Sequence, residues 1–206
     1  MSLLTNLMPR TPVRGQLLPD GSRIVVRLLE PSDADLVRAV FDRLGPSSRY
    51  HRFLVPKKTL TESDVRQLTA IDHCDHEAVA AVSAADGEPV GVARFIRLRD
   101  YPDTAEVAVT IVDKWQGRGV GSILVEALVT RARHLGVRRF SVFMTPDNQG
   151  AAHLMKRLPG DVVGVGVDRQ AAEFVVSLDP DDVGGDRDGA VAPCRHRSTQ
   201  VRYFHA

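Results

Sequence analysis

Three alternating glycines, between a predicted strand and a predicted helix, are the feature that most constrains the fold of this 206-residue chain. Residues 105–112, AEVAVTIV, have the β-branched and apolar composition of a strand. The glycines at positions 117, 119 and 121 follow shortly after it. From Val120 onward, apolar residues recur at the spacing of one helical face, and Gly136 stands where a helix cap belongs. A glycine loop that opens a helix is typical of sites that hold anions.

The other predicted elements place this unit in an α/β domain. RRFSVFM, at residues 138–144, follows the helix as a strand with two apolar faces, which predicts burial within a sheet. A meander of strands precedes the glycine loop, so the sheet is expected to be mixed. We predict further strands at 22–30, 77–84, 89–98 and 172–178, and further helices at 34–43, from Thr61 onward and at 148–158.

The length allows one sizeable core, and we expect a single domain over residues 22–178. Residues 1–21 are interpreted as a flexible lead-in, and residues 179–206, which lack periodicity, as a disordered or loosely docked tail. The formal net charge of +1 argues against a nucleic-acid binder. No run reaches the roughly 18 apolar residues that span a membrane. The two cysteines lie far apart and make no disulfide framework, which favours a reducing, cytoplasmic setting.

The glycine loop is interpreted as a cradle for a pyrophosphate. Alternate glycines expose successive backbone N–H groups, and the helix adds its unpaired N-terminal donors and partial positive charge. A dinucleotide-binding fingerprint that starts at Gly117 would need a glycine where the chain has Ser122. A P-loop would need Gly-Lys-Ser or Gly-Lys-Thr, and no such triplet follows. A plain turn before a helix is the alternative interpretation.

Residues 116–121, QGRGVG, resemble the Q/R-x-x-G-x-G/A pyrophosphate loop of the Gcn5-related N-acetyltransferases (GNAT). The resemblance spans residues 22–178. Within that superfamily, PSSRYHRF, the loop with its preceding strand, and RRFSVFMTPDNQGAAHLMKRL look most like the catalytic domain of bacterial protein lysine acetyltransferases. The resemblance implies a mixed, mostly antiparallel sheet that is flanked by helices and splayed at its central parallel strand pair.

The resemblance also implies acetyl-CoA as co-substrate, without a metal. In the family, backbone groups of the strand before the loop pair with pantetheine, and the loop N–H groups hold the pyrophosphate. Arg118 would add a charge-assisted contact to phosphate. Asn148 matches a family asparagine that contacts the cofactor arm, and a plain helix N-cap is a compatible alternative. The expected cofactor-binding residues are Ile111, Val112, Gln116, Gly117, Arg118, Gly119, Val120, Gly121, Ser122 and Asn148.

Glu106, an acidic residue in the apolar strand before the loop, is the expected general base. It matches the glutamate with this role in the resembling enzymes, and a solvent-facing strand glutamate is the alternative. A backbone N–H at Val112 or nearby would stabilise the oxyanion. Many family members place a tyrosine, as general acid, where this chain has Met155, and His153 would point elsewhere on the helix. The thiolate is therefore expected to leave unprotonated or to meet water.

Two other polar segments allow different interpretations. Residues 73–76, His-Cys-Asp-His, invite a metal site, but no second ligand pair appears, and a polar loop before a strand is favoured. Residues 49–52, Arg-Tyr-His-Arg, are candidates for the acceptor entrance, although Tyr50 and Phe53 more simply pack into the core. Trp115 is interpreted as a packing anchor.

The sequence thus predicts transfer of an acetyl group from acetyl-CoA to a primary amine. A protein lysine side chain is the favoured acceptor, on the resemblance alone. Acetylation of a small amine, such as an amino acid, a polyamine or an antibiotic, is one alternative. A non-catalytic acyl-CoA-binding sensor is the other, because the family tyrosine is missing.

Overall fold

An eight-stranded sheet forms the centre of the protein. The computed structural model describes residues 14–168 and 171–179. The strands are β1 (Arg14–Leu17), β2 (Arg23–Leu28), β3 (His76–Ser83), β4 (Pro89–Arg97), β5 (Thr104–Ile111), β6 (Arg139–Met144), β7 (Val162–Asp168) and β8 (Ala171–Ser177). Their order in the sheet is β1-β2-β3-β4-β5-β6-β8-β7. All neighbours are antiparallel except β5 and β6, which are parallel. The mixed, mostly antiparallel sheet expected from the sequence is confirmed.

Helices cover both faces of the sheet and leave part of one face open. The helices are α1 (Ala34–Asp42), α2 (Pro46–Phe53), α3 (Glu62–Leu68), α4 (Val120–His134) and α5 (Gln149–Met155), with a short 3-10 turn at Asp113–Trp115. Helix α4 packs on β3, β4 and β5, while α1 and α2 pack on β4 and β5. Glu77, which contacts Arg131 of α4, pairs with Phe95, whereas α1 lies beside Arg94. Because successive strand residues point to opposite sides, the two sets lie on opposite faces.

Local signals in the sequence account for several of these elements. Thr61 and Asp64 form the predicted capping box of α3, since Asp64 N–H donates to Thr61 Oγ1 at 3.2 Å and Thr61 N–H donates to Asp64 Oδ2 at 2.7 Å. The apolar face of α4 is buried through Val120, Leu124 and Leu128. Gly136, directly after its last turn, has φ of 79°, which fits the predicted C-terminal cap.

Two strands and one surface differ from the sequence-based expectation. Residues 14–17 form β1, so the interpretation of a flexible lead-in is corrected for this stretch, which β2 orders by backbone pairing. Strand β7, rich in glycine, was also missed. Strand β6 is not covered on both faces, because Phe143 is 37% exposed. The remaining residues of the expected lead-in and tail, 1–13 and 180–206, lie outside the described residues.

The parallel pair opens part-way along its length. The β5–β6 ladder runs from Thr104↔Arg139 to Val107↔Val142 and then ends. Both strands continue, β5 to Ile111 and β6 to Met144. Their C-terminal ends therefore form the splay that the resemblance implied. Among the described residues, no helix has the length and apolar character needed to cross a bilayer.

Candidate active site

The glycine loop and the start of α4 present a row of unpaired backbone donors. Gly117 and Gly119 have φ of 71° and 90°, in the left-handed region that glycine adopts without a side-chain clash. The consecutive N–H groups from Gly117 to Ser122 make no hydrogen bond to any described residue. The first paired group is Ile123 N–H, which donates to Gly119 O at 3.3 Å. With the positive end of the α4 dipole, this row has the donors that an anionic group requires.

Gly121 has a different structural role from the two glycines before it. Its φ is not positive. A Cβ at this position would lie 3.1 Å from Leu154 Cδ2, so glycine lets α5 approach α4 closely. The N–H of Gly121 still belongs to the unpaired row, but the reason for glycine here is helix packing.

The Gln116 side chain braces the loop. Its Nε2 lies 3.0 Å from Ile111 O, 3.1 Å from Ser48 Oγ and 3.2 Å from Asp113 Oδ1. Asp113 Oδ2 in turn accepts from Gly45 N–H, the N-cap of α2, at 2.9 Å. The amide expected to face the pyrophosphate thus ties the loop to α2.

The Arg118 guanidinium lies against the turn between β1 and β2. It forms an ion pair with Asp20, donates to Ser22 Oγ at 3.2 Å, and stacks over Trp115 at 4.2 Å from the ring centroid. Trp115 is only 7% exposed, as a packing anchor should be. A phosphate contact was expected from Arg118, and no local pattern in the sequence indicates these partners.

Backbone direction corrects one residue of the expected pantetheine contact. Val112 N–H donates to Val90 O at 2.9 Å, and Val112 O accepts from Trp115 N–H at 2.8 Å. Neither group faces the splay, so Val112 cannot supply the expected oxyanion donor. Because neighbouring residues of a strand direct their backbone groups to opposite sides, Ile111 and Val109 direct theirs toward β6. Val109 is a candidate donor that sequence reasoning missed.

Glu106 lies beside the start of the splay, on the face opposite α4. Its neighbour Val107 pairs with Phe95, which lies beside Glu77 on the α4 side, so alternation directs Glu106 the other way. Its partner in β6 is Ser141, one pair before the ladder ends. The side chain is half-buried.

A second carboxylate shares this face. Glu173 of β8 accepts a hydrogen bond from Ser141 Oγ at 2.8 Å, and Ser141 is 1% exposed. Glu173 pairs with Phe143, at the level where the splay begins. Glu173 was not predicted from the sequence, although it is, like Glu106, a carboxylate within an apolar strand.

Comparison with known proteins shows the family of the chain. The sequence model of the Acetyltransferase (GNAT) family matches residues 47–158. The chain belongs to this family. Acetyltransferase Pat of Mycolicibacterium smegmatis is 32% identical over 148 residues, which are 72% of this chain and 44% of that protein. Acetyltransferase PA5475 of Pseudomonas aeruginosa is 34% identical over 167 residues, 80% of this chain and 82% of that protein. The chain therefore spans less than half the length of the M. smegmatis relative.

Several solved structures of acetyltransferases and acyltransferases have a similar fold. The GNAT domain of S. lividans PAT is 28% identical, with a TM-score of 0.73 over 81% of this chain and 97% of that one. A cAMP-binding acyltransferase from Mycobacterium smegmatis is 26% identical, with a TM-score of 0.57 over 84% of this chain and 50% of that one. The structure of yncA from Salmonella typhimurium with acetyl-CoA, 17% identical, has a TM-score of 0.61 over 77% of this chain and 96% of that one.

Helix α5 and its N-cap hold the residues at the positions of the GNAT family's asparagine and tyrosine. Asn148 is the N-cap of α5, and its Oδ1 accepts from Ala151 N–H at 3.0 Å. Met155 is 7% exposed and has no acidic proton, while His153 is exposed on another side of the helix. His51 Nε2 of α2 lies 3.2 Å from Asp147 Oδ2, just before Asn148. Position 155, where many family members have a tyrosine, therefore offers no proton donor.

The polar loop before β3 has its own partners. His73 lies 3.0 Å from Glu77 Oε1 and 3.3 Å from Glu30 Oε2. Burial, with the Arg94 charge, lowers the pKa of His76 to about 3. Among the described residues, no group of three or more His, Cys, Asp or Glu side chains is arranged to hold a metal ion. Cys74, in the same loop, is not a free thiol, and Cys194 lies outside the described residues.

Proposed function

We propose that this protein transfers an acetyl group from acetyl-CoA to a primary amine. The row of unpaired N–H groups from Gly117 to Ser122, beside the open end of the parallel strand pair, is the observation that carries the proposal. It provides donors for a pyrophosphate at the N-terminus of α4. The splay beside it provides unpaired backbone groups for an extended arm. Membership of the GNAT family supports the same assignment.

In the proposed reaction, Glu106 accepts a proton from the acceptor ammonium, and the free amine attacks the thioester carbonyl. The α4 face holds the nucleotide end of the co-substrate, so the acceptor approaches from the face that carries Glu106. Val109 N–H, directed into the splay, donates to the oxyanion. The carbon–sulfur bond then breaks, the nitrogen gives its second proton to water to form the amide, and the CoA thiolate takes a proton from water, because Met155 has no proton to give.

A protein lysine is the acceptor that we favour. The relative from Mycolicibacterium smegmatis is named Acetyltransferase Pat, and the structure with a TM-score of 0.73 is the GNAT domain of S. lividans PAT. The acceptor face beyond β5 is open, since Phe143 is 37% exposed and Glu173 half-buried, which suits a large acceptor. A small diamine is the second candidate, because an L-2,4-diaminobutyric acid acetyltransferase of Halomonas elongata is 32% identical over 83 residues, 40% of this chain and 43% of that protein.

Release of free CoA from acetyl-CoA tests the function. The purified protein is assayed against lysine-containing proteins, polyamines, L-2,4-diaminobutyrate and aminoglycosides. Glu106→Gln should lower kcat by about 100- to 10,000-fold while acetyl-CoA binding is retained, because the variant cannot take the proton. Glu126→Gln, on the exposed side of α4, is the matched control and should behave as the wild type.

The outcomes separate the alternatives. Turnover only with proteins supports the lysine assignment, and turnover only with a diamine replaces it. A Glu106→Gln variant within threefold of wild-type kcat would show that another group is the base. Binding of acetyl-CoA without turnover on any acceptor would favour the sensor domain.

A further inference from the structure

The turn between β1 and β2 lies directly against the glycine loop. Asp20 and Ser22 of this turn contact the Arg118 side chain. A Cβ built on Gly119 would lie 3.8 Å from Pro19 Cδ, so the turn also lines the outside of the loop. Strand β1 thus brings an acidic side chain to the edge of an anion-binding loop, where a carboxylate is unexpected.

The contacts hold Arg118 in one orientation. Nε donates to Asp20 Oδ2 and Nη2 to Ser22 Oγ, so one edge of the guanidinium faces the turn. The Trp115 ring supports the plane from below at 4.2 Å. A guanidinium has five N–H donors in a rigid fork, and these contacts use two of them. Nη1 makes no hydrogen bond to any described residue.

Asp20 is itself held in place. Its Oδ1 accepts from Ser22 N–H at 2.9 Å and from Ser22 Oγ at 2.6 Å. These hydrogen bonds, with that from Arg118, lower the pKa of Asp20 to about 2. The carboxylate is therefore ionised throughout the neutral range. Ser22 Oγ donates to Asp20 and accepts from Arg118, so the three side chains form one connected unit.

We propose that Asp20 is a positioning residue of the coenzyme site, which holds the Arg118 guanidinium so that its remaining donors reach a phosphate of acetyl-CoA. This inference rests on the proposed function. A long arginine side chain loses rotamer freedom when it binds a phosphate, and a brace that removes this freedom beforehand improves affinity. Asp20 acts only through Arg118, so its effect on coenzyme affinity should require both the arginine and the phosphates.

Calorimetric binding of two acetyl thioesters tests the proposal. Acetyl-CoA carries the phosphates, whereas S-acetylpantetheine carries the same thioester arm without them. Asp20→Asn should weaken acetyl-CoA binding by about 2- to 10-fold and leave S-acetylpantetheine binding unchanged. In an Arg118→Gln background, Asp20→Asn should have no further effect. Asp100→Asn, in the exposed turn at the opposite end of β5, is the matched control and should bind both thioesters as the wild type does.

Three results would overturn the proposal. Tighter binding of acetyl-CoA by Asp20→Asn would mean that Asp20 competes with phosphate for Arg118. Unchanged binding would mean that Arg118 does not need Asp20 to hold it, and equal loss for both thioesters would mean that Asp20 acts on the whole site and not through the phosphates. Each leaves the proposed function standing. Failure of the wild type to bind acetyl-CoA at all would overturn both.

Discussion

Removal of the Arg131 guanidinium should be among the most destabilising single changes in this protein. Glu77 of β3 is fully buried, at 0% exposure. Its Oε2 accepts from Arg131 Nε at 3.0 Å and from Nη2 at 2.6 Å. Its Oε1 lies 3.0 Å from Ala78 N and 3.0 Å from His73 Nδ1. Arg131 thus neutralises a carboxylate that water does not reach.

Arg131→Met keeps an unbranched apolar side chain in α4 and removes the charge and the donors. A buried ion pair that loses one partner leaves an uncompensated charge, which costs about 3–5 kcal/mol. For a protein of this size, each kcal/mol corresponds to roughly 2–4 °C in Tm, so the melting temperature should fall by about 6–20 °C.

Urea denaturation and thermal melting at pH 7 measure the effect. Arg66→Met, on the exposed side of α3, is the control and should change the free energy of unfolding by less than about 0.5 kcal/mol. Adding Glu77→Gln to Arg131→Met should restore a large part of the loss, since the buried charge is then gone. A loss below about 1 kcal/mol in the single variant, or a double variant no more stable than the single one, would refute the reasoning.

Two further variants test a pH effect and the loop. Burial disfavours the charged form of His73, but Glu77 and Glu30 outweigh it and raise the pKa of His73 above 6.5. The stability that protonated His73 contributes should therefore be fully present below pH 6.5 and be lost as the pH rises through its raised pKa. Asparagine tolerates the φ of 57° at this position. The His73→Asn variant should lack this pH dependence when denaturation is measured between pH 5.5 and 8.5. Gly119→Ala, at φ of 90°, imposes about 1–2 kcal/mol of backbone strain and should weaken binding of acetyl-CoA more than of S-acetylpantetheine. Gly15→Ala, where the added Cβ meets nothing within 4 Å, should leave both unchanged, and equal affinity in the two variants would argue against the strain.

Local sequence patterns were sufficient to predict the strand, glycine loop and helix that define the site. The periodicity of α4, the capping box at Thr61 and the cap at Gly136 follow from interactions within a few residues, which the sequence displays directly. The glycines at 117 and 119 were predictable for the same reason, because a positive φ is a property of one residue. These patterns, with the order of strands and helices, led to the fold class.

The direction of backbone groups in a strand and the pairing of distant residues could not be predicted from such local patterns. Whether Val112 or Val109 faces the splay depends on the register with β4, and a shift of one residue would exchange them. Strand β1, with the sequence RGQL, has no strong strand pattern and forms because β2 supplies its backbone partners. The ion pair of Arg118 with Asp20 joins residues 98 positions apart. Short-range patterns report backbone conformation and periodicity, whereas the partners of a side chain depend on how distant segments pack, and this is where the structure changed the view of the site.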